Sequence, residues 1–248
     1  MTVALVHGVP ECAAIWDDMI EAMGRDDVVT LSPPGFGAPV PDGFDPTSDG
    51  YRDWLVAELE QLGGPVDLVG HDWGAGHALR AATVRPDLVR RLVTDIAGTA
   101  SADYVWHDMA QVWQTPGEGE AMAEAMAAMP VDDRVPMLVD AGMTEAGARA
   151  CAAANDATMG ACILALYRSA VQPHMSQWGD EFAALDARPP TLVVVAHDDH
   201  YTGGPDMARD VAATWGADVA ELDGLGHWWM MQDPTRAATT LTTFLDHP

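Results

Sequence analysis

Lysine is missing from this chain of 248 residues: its 12 basic residues are all arginine, and they stand against 38 acidic ones, for a formal charge of −26. A surface so poor in positive charge repels phosphate backbones and anionic lipid, so nucleic acid and membranes are not expected partners. Cysteine is scarce too. Cys12, Cys151 and Cys162 are odd in number and lack the spacing of a zinc or dithiol site, which excludes a disulfide framework and leaves buried or idle thiols. No run of about 18 apolar residues and no basic-then-apolar leader occurs, so a soluble, cytoplasmic protein is expected. Internal repeats and low-complexity tracts are also absent.

What remains is a globular composition. With 48% apolar residues the chain can bury a full core, and its length suits one large α/β domain or a core with an insertion. Short apolar runs at 2–6, 27–31, 65–69, 88–97, 191–196 and 218–222 read as strands, and segments of helical period at 12–23, 49–62 and 73–84 separate the first four. Parallel neighbours need a crossover, so this alternation predicts an α/β fold: a mainly parallel sheet of about six strands with helices on both faces. The rhythm breaks at 101–188, where only helical segments rich in Ala and Met are found, the first of them expected over 104–114. That block is expected to be an all-helical cap (101–188) inserted into a core formed by 1–100 and 189–248.

Chemistry-bearing residues gather where strands end. Residues 65–74 read Pro-Val-Asp-Leu-Val-Gly-His-Asp-Trp-Gly, an apolar run stopping in a glycine-bounded turn with Asp72 at its tip. The glycines permit a sharp strand-to-helix turn. Asp is also a favoured helix N-cap, so the pentapeptide alone leaves both readings open. The first strand runs into His7-Gly8-Val9-Pro10, the fifth into His197-Asp198-Asp199-His200, and the last into Gly224-Leu225-Gly226-His227. All of these lie at the carboxyl edge of the predicted sheet, where open α/β sheets bind ligands. Adjacent residues such as those at 197–200 cannot all converge on one ion, so no metal is expected there, and nothing implies a cofactor.

His-Gly-x-Pro at 7–10, Gly-x-Asp-x-Gly at 70–74 and Gly-x-Gly-His at 224–227 together resemble the α/β-hydrolase superfamily, in particular its Asp-nucleophile branch of epoxide hydrolases and haloalkane dehalogenases. The resemblance covers nearly the whole chain. It implies that Asp72 is the nucleophile and that His227 activates water. It also implies that Asp199 orients His227, with Asp198 as the alternative acid, and that the amides of Val9 and Trp73 form an oxyanion hole, Pro10 fixing the first turn as a cis peptide. Chemistry agrees with an aspartate. A serine attacking an sp³ carbon would form an ether that water cannot cleave, whereas a carboxylate forms an ester that water opens at its carbonyl. The chain departs from the family in starting at the usual third strand, and in carrying Ser32-Pro33 where an aspartate usually precedes Pro-Gly-Phe-Gly.

Substrate class turns on the cap. An epoxide oxygen needs a proton donor, which the resemblance assigns to Tyr167, in Leu164-Ala165-Leu166-Tyr167-Arg168, and to Tyr104. A halide needs N–H donors; Val9 stands where many dehalogenases place Asn, and Trp106 or Trp113 are the candidates to replace it. His7 and Trp228 complete the expected pocket. The expected activity is hydrolysis of a small apolar epoxide by water, with haloalkane dehalogenation second and a non-catalytic ligand-binding protein third.

Overall fold

The computed structural model describes residues 1–247. Six strands, β1 (Val3–Val6), β2 (Val28–Leu31), β3 (Val66–Gly70), β4 (Val89–Thr94), β5 (Thr191–Ala196) and β6 (Asp218–Leu222), form one sheet in the order β2-β1-β3-β4-β5-β6. Every adjacent pair is parallel, as the alternation of strands and helices predicts. Strands β1, β3 and β5 are buried along their whole length, which is why they read as continuous apolar runs without alternation. The chain steps from β1 out to β2, then returns to lay β3 on the other side of β1. That reversal opens a crevice at the carboxyl ends of β1 and β3.

Helices α1 (Asp17–Met23), α2 (Ser48–Gln61) and α3 (Trp73–Val84) fall between the first four strands. Between β4 and β5 lie α4 (Asp108–Gln114), α5 (Glu118–Ala128), α6 (Val131–Asp140), α7 (Glu145–Ala154), α8 (Ala157–Arg168) and α9 (His174–Ala183), with no strand among them. The chain closes with α10 (Gly204–Trp215), α11 (Trp229–Gln232) and α12 (Pro234–Leu245). Alternate strand residues feed two cores. Val3 and Leu5 pack with Trp16, Met19, Trp229 and Leu241 on one face, while Ala4 and Val6 pack with Leu55, Leu79 and Trp215 on the other. Among the described residues no single helix is long and apolar enough to cross a membrane.

Three local differences from the sequence pattern matter to the site. The segment expected as one helix over 12–23 begins with a 3-10 turn, Ala13–Trp16, and becomes α-helical only at Asp17. The helix expected from residue 104 starts at Asp108, because the His107 side chain accepts the Ala110 amide and caps it there. Tyr104 and Trp106 therefore lie outside the helix. The strand expected over 88–97 ends at Thr94, which releases Asp95 at the sheet edge.

Candidate active site

Asp72 has φ 49° and ψ −127°, and among the described residues it alone combines a side chain with positive φ. Such a conformation costs on the order of 1–3 kcal/mol and persists only where its surroundings enforce it. Here the Asp72 amide donates to Asp95 Oδ1 (3.1 Å), and its carbonyl accepts the Ala75 and Gly76 amides. Close approach does the rest. A Cβ on Gly74 would lie 2.2 Å from the Val6 carbonyl oxygen, and one on Gly8 would lie 2.2 Å from Asp72 Oδ1, so only glycine lets these turns nest.

The Asp72 side chain makes no capping bond to α3, although it occupies the N-cap position. It reaches across to the loop after β1 instead, where the Val9 amide donates to Oδ1 at 2.9 Å. The Val9–Pro10 peptide is cis. Trp73, the other expected oxyanion-hole amide, is the first residue of α3, where an N–H has no intrahelical acceptor. The second carboxylate oxygen, Oδ2, faces His227 Nε2 at 3.8 Å, and His227 Nδ1 lies 2.9 Å from Asp199 Oδ2. Asp199 also accepts the Tyr201 amide at 2.8 Å and is buried, whereas Asp198 is exposed. Geometry thus separates the two acids: Asp199 is the one that meets His227. The remaining members of that run diverge, His197 pairing with Glu221 and Asp223 on the surface while His200 is exposed.

Burial sets the electrostatics. It pushes the Asp72 carboxyl up to about 6, against the pull of His227, His71 and the Val9 amide. For His227, burial alone would lower the pKa, but the charge and hydrogen bond of Asp199 prevail and the net direction is upward. Asp72 adds to that rise and His71 opposes it.

Behind these three residues lies a buried network that the sequence pattern does not mark as part of the site. His71 is held between Asp95 (Nδ1 to Oδ2, 2.6 Å) and Glu11 (Nε2 to Oε1, 3.1 Å). Glu11 further accepts the Gly8 amide (2.9 Å) and the Trp228 indole N–H (2.5 Å), and Asp95 accepts that of Trp229 (2.8 Å). Desolvation would neutralise His71 and protonate Glu11. Their mutual attraction prevails, so His71 is pushed well above the usual imidazole range and Glu11 is held at about 2. The result is an imidazolium between two carboxyl groups, its ring centroid 4.6 Å from that of His227. Two signals were available: Glu11 directly follows the His-Gly-x-Pro turn, and Asp95 stands near the end of a strand whose neighbours end in site residues.

A narrow cavity lies over Asp72, lined by Trp73, Tyr104, Trp106, His107 and Tyr167 among others. Tyr167 is buried with its ring edge-on to Trp73 at 5.2 Å. Burial, reinforced by the charge of Asp72, pushes its hydroxyl well above the usual range and keeps it protonated. Tyr104 is pushed up for the same two reasons, but its hydroxyl donates to the Tyr201 carbonyl at 2.7 Å. Trp106 stacks on Trp73 at 5.8 Å, and its indole N–H is buried with no partner. His107 is driven down to about 4 by burial, then by His227, and is neutral. Neither His107 nor Tyr201 stands out in the sequence.

Three residues expected in the pocket do not line this cavity. Trp113 sits behind Tyr167, with ring centroids 4.7 Å apart. Trp228 turns its indole inward to Glu11, and His7 is fully buried with Nδ1 on the Gly8 carbonyl. In both, a polar nitrogen is drawn toward the interior instead of the cavity.

A model described as the alpha/beta hydrolase family matches residues 3–240. Among characterised sequences, the (E)-2-((N-methylformamido)methylene)succinate hydrolase of Acinetobacter baylyi is 33% identical over 90 residues, 36% of this chain and 34% of that enzyme. The aligned region thus spans about a third of that relative's length. Among solved structures, E-2-(acetamidomethylene)succinate hydrolase superposes with a TM-score of 0.75 at 17% identity, covering 99% of this chain and 91% of that one. A haloalkane dehalogenase variant from Bradyrhizobium elkanii gives 0.71 at 20%, covering 99% and 90%. At these identities the structural likeness speaks for the fold alone.

Proposed function

This chain belongs to the alpha/beta hydrolase family, and within it we propose that the protein is an epoxide hydrolase acting through an ester on Asp72. The observation that carries the reading is the placement of the elbow carboxylate. It declines the helix cap, rests one oxygen on the Val9 amide and turns the other toward His227, beneath the protonated Tyr167.

Asp72 Oδ2 attacks an oxirane carbon; the carbon–oxygen bond breaks, and the departing oxygen takes the proton of Tyr167. Alkylation removes the negative charge of Asp72, one of the influences that raises His227. His227 then loses affinity for its proton at the moment a base is needed, and the cationic His71 pushes in the same direction. Neutral His227, oriented by Asp199, takes a proton from water as the water oxygen attacks the ester carbonyl carbon. The resulting oxyanion is Oδ1, already on the Val9 amide, with the Trp73 amide as second donor. Collapse releases a vicinal diol and restores the carboxylate, and the proton held by His227 returns to Tyr167. In this scheme the helices between β4 and β5 act as the cap, and Tyr104, its hydroxyl committed to Tyr201, holds the loop beside the cavity without protonating substrate.

An acyl substrate like those named for the two succinate hydrolases fits poorly, since acylated Asp72 would be an anhydride. Haloalkane dehalogenation is the second reading, favoured by one observation: the unpartnered indole N–H of Trp106 beside Asp72 is a ready halide donor. A non-catalytic ligand-binding role would leave the strained Asp72 and its pairing with His227 without a purpose. The test is a panel of small epoxides, such as styrene oxide, and bromoalkanes, with diol and bromide as readouts. Diol without bromide is expected. Bromide without diol would replace the first reading by the second, and neither product would favour the binding role.

A further inference from the structure

Cys12 and Cys151 are 139 positions apart and belong to different parts of the fold. Cys12 follows Glu11 in the loop after β1, and Cys151 is on α7, in the helical insertion. Their sulfurs nevertheless lie 3.6 Å apart. Cys151 is fully buried in the cluster that holds Ile15, Trp16 and Trp228, and Cys12 packs half-buried against the same cluster. Cys162 sits in a separate cluster with Tyr51 and Phe36. We propose that Cys12 and Cys151 are an oxidation site, at which peroxide converts the pair into an internal disulfide joining the helical insertion to the loop that carries Val9 and Glu11.

The two sulfurs have unequal roles. Cys12 is reachable, and its hydrogen bond with Cys151 draws its thiol down to about 7 against the effect of burial, so a substantial thiolate fraction exists near neutrality. The Cys12 thiolate attacks one oxygen of hydrogen peroxide, the oxygen–oxygen bond breaks, and hydroxide leaves, giving a sulfenic acid on Cys12. The Cys151 sulfur then displaces that hydroxyl, which departs as water with the Cys151 proton. Two thiols are oxidised by two electrons, and one peroxide becomes two waters. The buried resolving sulfur is already in contact, so the second step needs only a short approach rather than a rearrangement of α7.

Hydrogen peroxide is added to the folded protein, remaining thiols are alkylated in denaturant, and non-reducing peptide maps are read by mass spectrometry. The expected result is a linked peptide pair containing Cys12 and Cys151, Cys162 being the thiol left free. A thermal midpoint several degrees above that of the reduced protein, reversed by dithiothreitol, should accompany it. Cys12→Ser should form no link, and Cys151→Ser, which keeps a hydrogen-bonding group beside Cys12, should stop at Cys12 sulfenic acid, trappable with dimedone. Three alkylated thiols after peroxide treatment, a linkage through Cys162, or overoxidation of Cys12 without any link would overturn the proposal.

Discussion

Asp72 and His227 titrate against each other, and the two halves of the proposed reaction need them in defined states. Attack needs Asp72 as a carboxylate, which burial makes the major form only above about 6. Ester hydrolysis needs His227 neutral, and its pKa is raised. Both requirements fail in acid. Ester formation in a single turnover should therefore fall about tenfold per pH unit once pH drops well below about 6; a pH-independent alkylation rate would contradict the assignment of Asp72. Tyr167→Phe removes the proton donor and should lower epoxide kcat by about 10²-fold or more, with KM little changed. At this scale Asp72, His227 and Asp199 were legible as candidates, since each follows a strand and stands beside glycine or in an acidic pair. Glu11, His71 and Asp95 were not. Their contacts exist only once the ends of β1, β3 and β4 meet, and the place of Glu11 directly after the His-Gly-x-Pro turn does not by itself reveal that it is buried against His71.

At the scale of elements, the six parallel strands were readable because each is short and falls between turn or helical segments, and β1, β3 and β5 are buried along their length. The loop at 101–107 was not, because its amphipathic pattern continues smoothly into α4, and the stop comes from a single bond between His107 and the Ala110 amide. That loop carries Tyr104 and Trp106 to the cavity, so the displaced helix start lies beside the candidate site. Helix α8, which delivers Tyr167, has a cap of the usual kind: Asp156 accepts the Met159 amide at 2.8 Å. Asp156→Ala should cost about 1 kcal/mol, a drop of about 2–4 °C in the thermal midpoint for a chain of this size. An unchanged midpoint in a calorimetric scan would mean that α8 is held by packing alone.

For the whole molecule, the charge of −26 is the dominant global term. Most of the arginines are spent locally, as in Arg25 with Asp27 and Asp246, and Arg168 with Glu120, leaving a large acidic excess to repel itself. Salt screens that repulsion, shortening its range from about 30 Å at 0.01 M to about 3 Å at 1 M. The thermal midpoint should therefore rise by several degrees over this range of sodium chloride. A fall would show that the arginine–carboxylate pairs outweigh the net repulsion. Composition revealed this term without any structure, but not where the charge is placed.

In the proposed reaction Asp72 becomes an ester and water attacks its carbonyl carbon. A single turnover in water enriched in heavy oxygen, with enzyme in excess over epoxide, tests it most directly. The first diol should carry no label, because its new oxygen comes from Asp72, and the heavy oxygen should appear in the peptide containing Asp72. Label in the first diol, with that peptide unlabelled, would mean that water attacks the substrate itself and that Asp72 is not the nucleophile.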